Sequence, residues 1–191
     1  SDNPLVVKTG DLMLDNSLYF SQLSDKKSSI IKDLNLTKNN FFLSTLHRPN
    51  NSDDAERLNT IFESFISIAE KFKIPLIIPL HPRTKQKMLE LLPSKTKKIL
   101  NSHTLIKQIP PVSFFDMINL EKNCKLILTD SGGVQKEAFF FKKPCIILRS
   151  ETEWVEIVES GAAIIANADK NKIFDGVNTF LNDMPDDFQQ F

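Results

Sequence analysis

Lys125-Leu126-Ile127-Leu128-Thr129-Asp130-Ser131-Gly132-Gly133-Val134-Gln135-Lys136-Glu137 changes character twice. The apolar run from Lys125 to Thr129 reads as a buried strand, and a helical pattern then runs from Gly133 to Phe141. Between them lie polar side chains and two adjacent glycines. Glycine is scarce in this chain, 5 of 191 residues (Gly10, Gly132, Gly133, Gly161 and Gly176). The adjacent pair is therefore expected to serve a backbone shape that other residues do not adopt.

Working outward, the same alternation recurs. Downstream come a strand over Pro144 to Leu148 and a helix over Glu153 to Ser160, closed by Gly161 as a left-handed cap. A short strand over Ala162 to Ala166 and a helix over Lys170 to Asn182 follow. Upstream, Ser113 caps a helix to Asn123, Thr104 to Ile109 is a strand, and Arg83 to Leu92 is a helix stopped by Pro93. Pro75 to Leu80 and Asn40 to Leu46 are strands flanking a long helix over Asp53 to Lys71, with Ser52 or Asp53 as its N-cap. Apolar strands separated by amphipathic helices predict a doubly wound parallel α/β sheet of Rossmann-like type, covered on both faces. It should occupy residues 39–191. Residues 1–38 read as a lead-in: a strand at Leu5-Val6-Val7, a turn at Gly10 and broken helix from Asp11 to Leu34. Ser rather than Met at position 1 suggests a chain cut from something longer.

Composition narrows the function. With 24 basic and 24 acidic side chains the net charge is zero, which argues against a nucleic-acid partner. No apolar run approaches a membrane span, and no basic-then-apolar leader opens the chain. Cys124 and Cys145 sit in strand-like surroundings, which predicts buried free thiols in a reducing, cytoplasmic setting. The three histidines have no metal-site spacing, so no metal is expected.

Open α/β sheets bind ligands beyond the carboxyl ends of their strands. Four such ends carry polar clusters: Thr45 to Asn51, His81 to Thr84, Thr129 to Gly133, and Arg149 to Glu153. At Ser131-Gly132-Gly133 the helix start offers free N–H groups and a positive dipole end, an anion site. The plainer reading is a serine cap and a tight turn. Glu137, expected in the first helical turn, could accept hydrogen bonds from a ribose diol or be a dipole-favoured surface acid. His47-Arg48 suits phosphate handling or acid–base work, or a loop histidine bonded to backbone, and His81 has the same two readings. His103 reads as a loop residue, and Phe139-Phe140-Phe141 as packing onto the sheet.

Together these motifs resemble the UDP-N-acetylglucosamine 2-epimerase family. The resemblance rests on His47-Arg48-x-x-Asn51 before Asp53-Asp54, on His81-Pro82-Arg83-Thr84, and on Leu128 to Ala138. Leu148-Arg149 with Glu151-Thr152-Glu153-Trp154-Val155-Glu156, and Gly10 to Asp15, complete it. It implies the C-terminal half of a glycosyltransferase-B-like two-domain fold. Ser131, Gly132 and Gly133 would hold a diphosphate and Glu137 the ribose. His47 would reach the reacting sugar. Val112 and Met117, in the loop from Pro111 to Met117, would lie beside uracil, and Arg149 and Trp154 would complete the nucleotide site. Arg48 and His81 would line a regulatory site for a second UDP-sugar. The implied chemistry is conversion of UDP-GlcNAc to UDP-ManNAc by elimination and re-addition of UDP, with no cofactor. The acids that move the C2 proton would belong to an N-terminal domain, and the full-length protein would be a homodimer. A hydrolysing epimerase and the nucleotide-binding half of a UDP-sugar glycosyltransferase stay open. Three departures from the family pattern stand out: Asn50 where many relatives have Glu, Trp154 where some have Arg, and Lys136, expected to face solvent, in place of an acid.

Overall fold

The computed structural model describes residues 10–183, so the strand expected at Leu5-Val6-Val7 lies outside the described residues. The six strands are β1 (Phe42–Thr45), β2 (Leu76–Pro79), β3 (Ile106–Ile109), β4 (Leu126–Thr129), β5 (Cys145–Ile147) and β6 (Ala163–Ile165). They form one sheet in the order β3-β2-β1-β4-β5-β6, and every neighbouring pair is parallel. Each expected strand beyond residue 39 is present, shortened by a residue or two at its ends. The order reverses between β1 and β4, where the connections leave in opposite directions and open a crevice at the carboxyl ends.

The helices are α1 (Leu12–Lys27), α2 (Ile30–Asp33), α3 (Pro49–Ser52), α4 (Ala55–Phe72), α5 (Pro82–Leu91), α6 (Ser94–Ser102), α7 (Phe114–Asn123), α8 (Gly132–Phe140), α9 (Val155–Glu159) and α10 (Lys170–Asn182). Period-two alternation along the strands supplies two cores. Leu76, Ile78, Leu126, Leu128 and Ile146 face Leu58, Ile61 and Phe65 of α4 and Val177 and Phe180 of α10. Ile77, Ile127, Cys145 and Ile147 face Leu120 and Cys124 of α7 and Ala138 of α8. Both cysteines are buried and free. The lead-in helix α1 lies across α7 and α8, over the second core. No described helix is long and apolar enough to cross a membrane.

Three local expectations are corrected. The long helix α4 is capped by Asp54, whose side chain accepts from the Arg57 N–H, rather than by Ser52 or Asp53. Pro49 starts the separate turn of α3, with Asp53 as its C-cap, which moves the next start one residue on. Pro93 stops α5 as expected, yet it is also the N-cap of α6, a helix that a lysine-rich, weakly apolar segment did not announce. The glycine pair adopts no special backbone shape: Gly132 and Gly133 are helical, and the positive-φ glycines are Gly10 and Gly161. This chain places Asn35, Asn39, Lys73, Lys142 and Asn167 in the left-handed region instead.

Replacing Asp54 with Ala should cost about 1 kcal/mol in urea unfolding, since the cap bond at the start of α4 is lost. Replacing Asp53, whose exposed carboxylate pairs with Arg83, should cost less.

Candidate functional site at the β1–β4 crevice

The crevice is organised by a wholly buried carboxylate. Asp130, one residue past β4, is 0% exposed. It accepts from the backbone N–H groups of His47 (3.1 and 3.2 Å) and Arg48 (3.0 Å) and from Asn51 Nδ2 (3.1 Å). His47 Nδ1 stands 3.4 Å from Asp130 Oδ1. One acid at the end of β4 thereby fixes the chain leaving β1. Asn51 carries the connection further, donating to the Leu148 carbonyl (2.8 Å) and accepting from Arg57 (2.8 and 3.2 Å). Thr45 and Thr129, the last residues of the two central strands, bond to each other through their hydroxyls at 2.5 Å. Thr129 Oγ1 also receives the Ser131 N–H at 2.9 Å.

Ser131 caps α8, accepting from the Val134 N–H at 3.5 Å. The N–H groups of Gly132 and Gly133 stand in the first turn of α8, where a helix has no internal acceptor for them. A Cβ on Gly132 would come within 3.3 Å of Glu153 Oε2 and 3.6 Å of Trp154 Nε1, so a side chain here would press on the end of the Glu153 side chain. Gly133 is exposed. His47 and His81 line one cleft of about 300 Å³ together with Thr45, Leu46, Pro79 and Val134. His81 caps α5, its Nδ1 accepting from the Arg83 N–H at 3.3 Å. Arg48 belongs to a separate cleft of about 150 Å³ with Asn50, Asn51, Arg57, Arg149 and Glu151. Arg48 and His81, grouped together in the sequence, thus face different hollows.

Arg149 makes a bidentate contact to Glu153, 2.8 Å in each arm. Those hydrogen bonds hold the Glu153 carboxyl down at about 2. Trp154 donates from Nε1 to the Gly132 carbonyl at 2.9 Å. The Nζ of Lys136 lies 4.3 Å from the Trp154 ring centre and pairs with Asp11. Lys136 is therefore not a solvent-facing residue; its side chain is 15% exposed. Val112 and Met117 are partly buried and packed against the second core, as are Val134 and Trp154.

Glu137 falls in the second turn of α8 rather than the first, which weakens any account of it as a dipole-favoured acid. It is half-buried and faces Glu121 of α7, which is 1% exposed and whose carboxyl oxygens have no hydrogen-bond partner among the described residues. Burial pushes the Glu121 carboxyl well above the ordinary range, and the Glu137 charge pushes it further. Sequence reasoning gave no role to Asp130 or Glu121. An acid between a buried strand and a serine cap was a usable signal for the first. For the second there was none, because only the packing of α7 on α8 creates the pair.

The model of the family described as UDP-N-acetylglucosamine 2-epimerase matches residues 2–191. The chain belongs to the UDP-N-acetylglucosamine 2-epimerase family. A Methanococcus maripaludis UDP-N-acetylglucosamine 2-epimerase homolog is 44% identical over 93% of this chain and 48% of its own length. A Pseudomonas aeruginosa UDP-2,3-diacetamido-2,3-dideoxy-D-glucuronate 2-epimerase is 39% identical over 92% of this chain and 46% of its own. The Methanocaldococcus jannaschii UDP-GlcNAc 2-epimerase, solved in complex with UDP-GlcNAc and UDP, superposes with a TM-score of 0.84. It is 37% identical, with 96% of this chain and 51% of that one covered. The chain thus spans about half the length of the relatives it matches, and its fold is the C-terminal half of the family's glycosyltransferase-B-like architecture.

Two outcomes follow. Asp130→Ala removes the acceptor of the His47 and Arg48 N–H groups and one of the two acceptors of the buried Asn51 amide, and should lower stability by about 3 kcal/mol in urea unfolding. Glu121 binds a proton in the folded state at pH values where an unfolded glutamate has lost it, so its contribution to stability declines as pH rises above the ordinary carboxyl range. Glu121→Gln, which does not titrate, should therefore gain stability relative to the parent as pH rises, measured by urea midpoints across that range.

Proposed function

We propose that this chain is the UDP-binding half of a UDP-N-acetylglucosamine 2-epimerase. The reading is carried by one observation: the open N-terminus of α8 and His47 meet at the topological switch point, the first offering N–H donors and the second a titratable ring. In this reading Ser131, Gly132 and Gly133 hold the diphosphate, and Arg149 turns from Glu153 toward the nucleotide. Glu137 accepts from the ribose hydroxyls, and Val112 and Met117 flank uracil. Trp154 backs the first turn of α8 through the Gly132 carbonyl.

The reaction removes the C2 proton of the sugar and breaks the C1–O bond to UDP, leaving a C1=C2 double bond. Re-addition forms the C1–O bond again and delivers a proton to the opposite face of C2. Negative charge develops on the departing diphosphate. Preoriented N–H groups at a helix start stabilise that charge more than the ground state, which lowers the barrier. His47, with Nδ1 beside Asp130, presents Nε2 for contact with the leaving phosphate or the sugar. Inversion at C2 needs proton-transfer groups on both faces, and His47 supplies one at most. The remaining groups come from the other half of the full-length protein. The sugar is read as one with a 2-acetamido group, a feature shared by the sugars named for both relatives above.

Glu137→Ala should weaken UDP binding about tenfold or more by titration calorimetry, since the ribose diol loses a charged acceptor. The chain alone, incubated with UDP-N-acetylglucosamine in deuterated water, should bind UDP but place no deuterium at C2, whereas the full-length protein should exchange it. Deuterium incorporation by the chain alone would move the proton chemistry into this half.

A further inference from the structure

The mechanism above leaves one buried acid unused. Glu121 is 1% exposed, neither of its carboxyl oxygens has a hydrogen-bond partner among the described residues, and the Glu137 carboxyl of α8 is the charged group that acts on it. The groups around it are accounted for from each element packed there. On α7, Cys124 is a buried thiol that burial keeps protonated. On β5, Cys145 is the same. Beyond α8, Lys143 donates to Asn39 Oδ1 at 2.7 Å. From α1, Asp11 is engaged by Lys136 and Asp25 by Lys122. No cation among the described residues pairs with Glu121.

We propose that Glu121 is a positioning residue for the nucleotide: its carboxyl keeps a proton and donates it to Glu137, holding one Glu137 oxygen and leaving the other as the acceptor for the ribose hydroxyls. The inference rests on the assignment of Glu137 to the ribose. Two touching carboxyls in a dry setting hold one proton between them, since both charges together have neither water nor a cation to offset them. The proton stays on the wholly buried partner, and the charge stays on Glu137, which reaches solvent. A glutamate on a helix surface otherwise samples several rotamers, and a buried O–H donor selects one. The upward shift of the Glu121 carboxyl, from burial and from Glu137, accords with this arrangement, and Glu121 acts on Glu137 in the opposite sense, against the rise that burial gives it.

The test titrates UDP into the parent chain, Glu121→Gln, Glu121→Leu and Glu137→Ala from about pH 5 to about pH 8, taking each affinity relative to the parent so that the titration of UDP itself cancels. Glu121→Leu removes the donor with an apolar side chain that a buried site tolerates. It should weaken UDP about tenfold at pH 7. It should also move the acid loss of affinity to higher pH, because Glu137 without its donor takes up a proton more readily. Glu121→Gln donates the same bond through its amide and should stay within about twofold of the parent, with the acid limb unmoved. Parent-like affinity and profile in Glu121→Leu, or equal loss in both Glu121 variants, would overturn the inference while Glu137→Ala still weakens binding. An unaffected Glu137→Ala would overturn the ribose assignment beneath it.

Discussion

Asp130 is the constraint on which the site depends. A parallel sheet delivers strand ends to one edge, but the segments that leave those ends have no ladder to hold them. Here a carboxylate at 0% exposure takes the first free N–H groups beyond β1 and the amide of Asn51. Buried N–H groups must find acceptors, and a carboxylate with two oxygens supplies several at once. The result is that the His47 loop is set by β4 rather than by its own strand. The same residue stands directly before the Ser131 cap, so the helix start that offers donors and the histidine facing them are tied to a single point.

Around that point the sheet order explains why the crevice exists at all. β1 and β4 are neighbours in space, in matching register from Phe42 and Leu126 to Thr45 and Thr129. The helices that follow them depart to opposite faces, α4 to one core and α8 to the other. The gap left at the carboxyl edge is where ligand-sized space can form without cutting into either core. His81 reaches the same gap from β2 because Thr84 ties α5 back to the Leu46 carbonyl at 2.8 Å.

The strands and most helices were legible in the sequence because their signal is local. Buried runs such as Leu126-Ile127-Leu128 and the helical spacing of Leu58, Ile61 and Phe65 are dictated by which faces must leave water. α10, from Lys170 to Asn182, was legible to the residue since Asp169 caps it with two hydrogen bonds. The polar strand ends were legible in part: those at Thr45 to Asn51, at His81 and at Arg149 to Glu151 supply lining residues of the two clefts, whereas Ser131, Gly132 and Gly133 are not among them. What was not legible depends on packing between segments far apart in sequence. Asp130 reads as a turn residue until β1 is placed beside β4. Glu121 reads as a solvent-facing acid until α7 is placed on α8. The glycine pair misled in the other direction, since both glycines are helical and what distinguishes Gly132 is the closeness of Glu153 and Trp154 rather than a backbone angle.

Lys136 shows how a charge close to the site is balanced from elsewhere. It lies in the second turn of α8, a few residues from the N–H groups proposed to receive phosphate. The structure offsets it with Asp11, the N-cap of α1, whose carboxyl is lowered chiefly by its bond to Lys136. The ammonium lies over the Trp154 ring, and that ring in turn holds the Gly132 carbonyl. A cation over an indole face is attracted by the ring's electron density, so Lys136 clamps Trp154 against the first turn of α8. The lead-in segment is thus connected to the start of α8, the proposed diphosphate site, through three contacts in series, Asp11 to Lys136 to Trp154 to Gly132. A shift of α1 relative to α8 would loosen the clamp at the first turn of α8, and so the segment that leads into this domain is part of the construction of the proposed binding site.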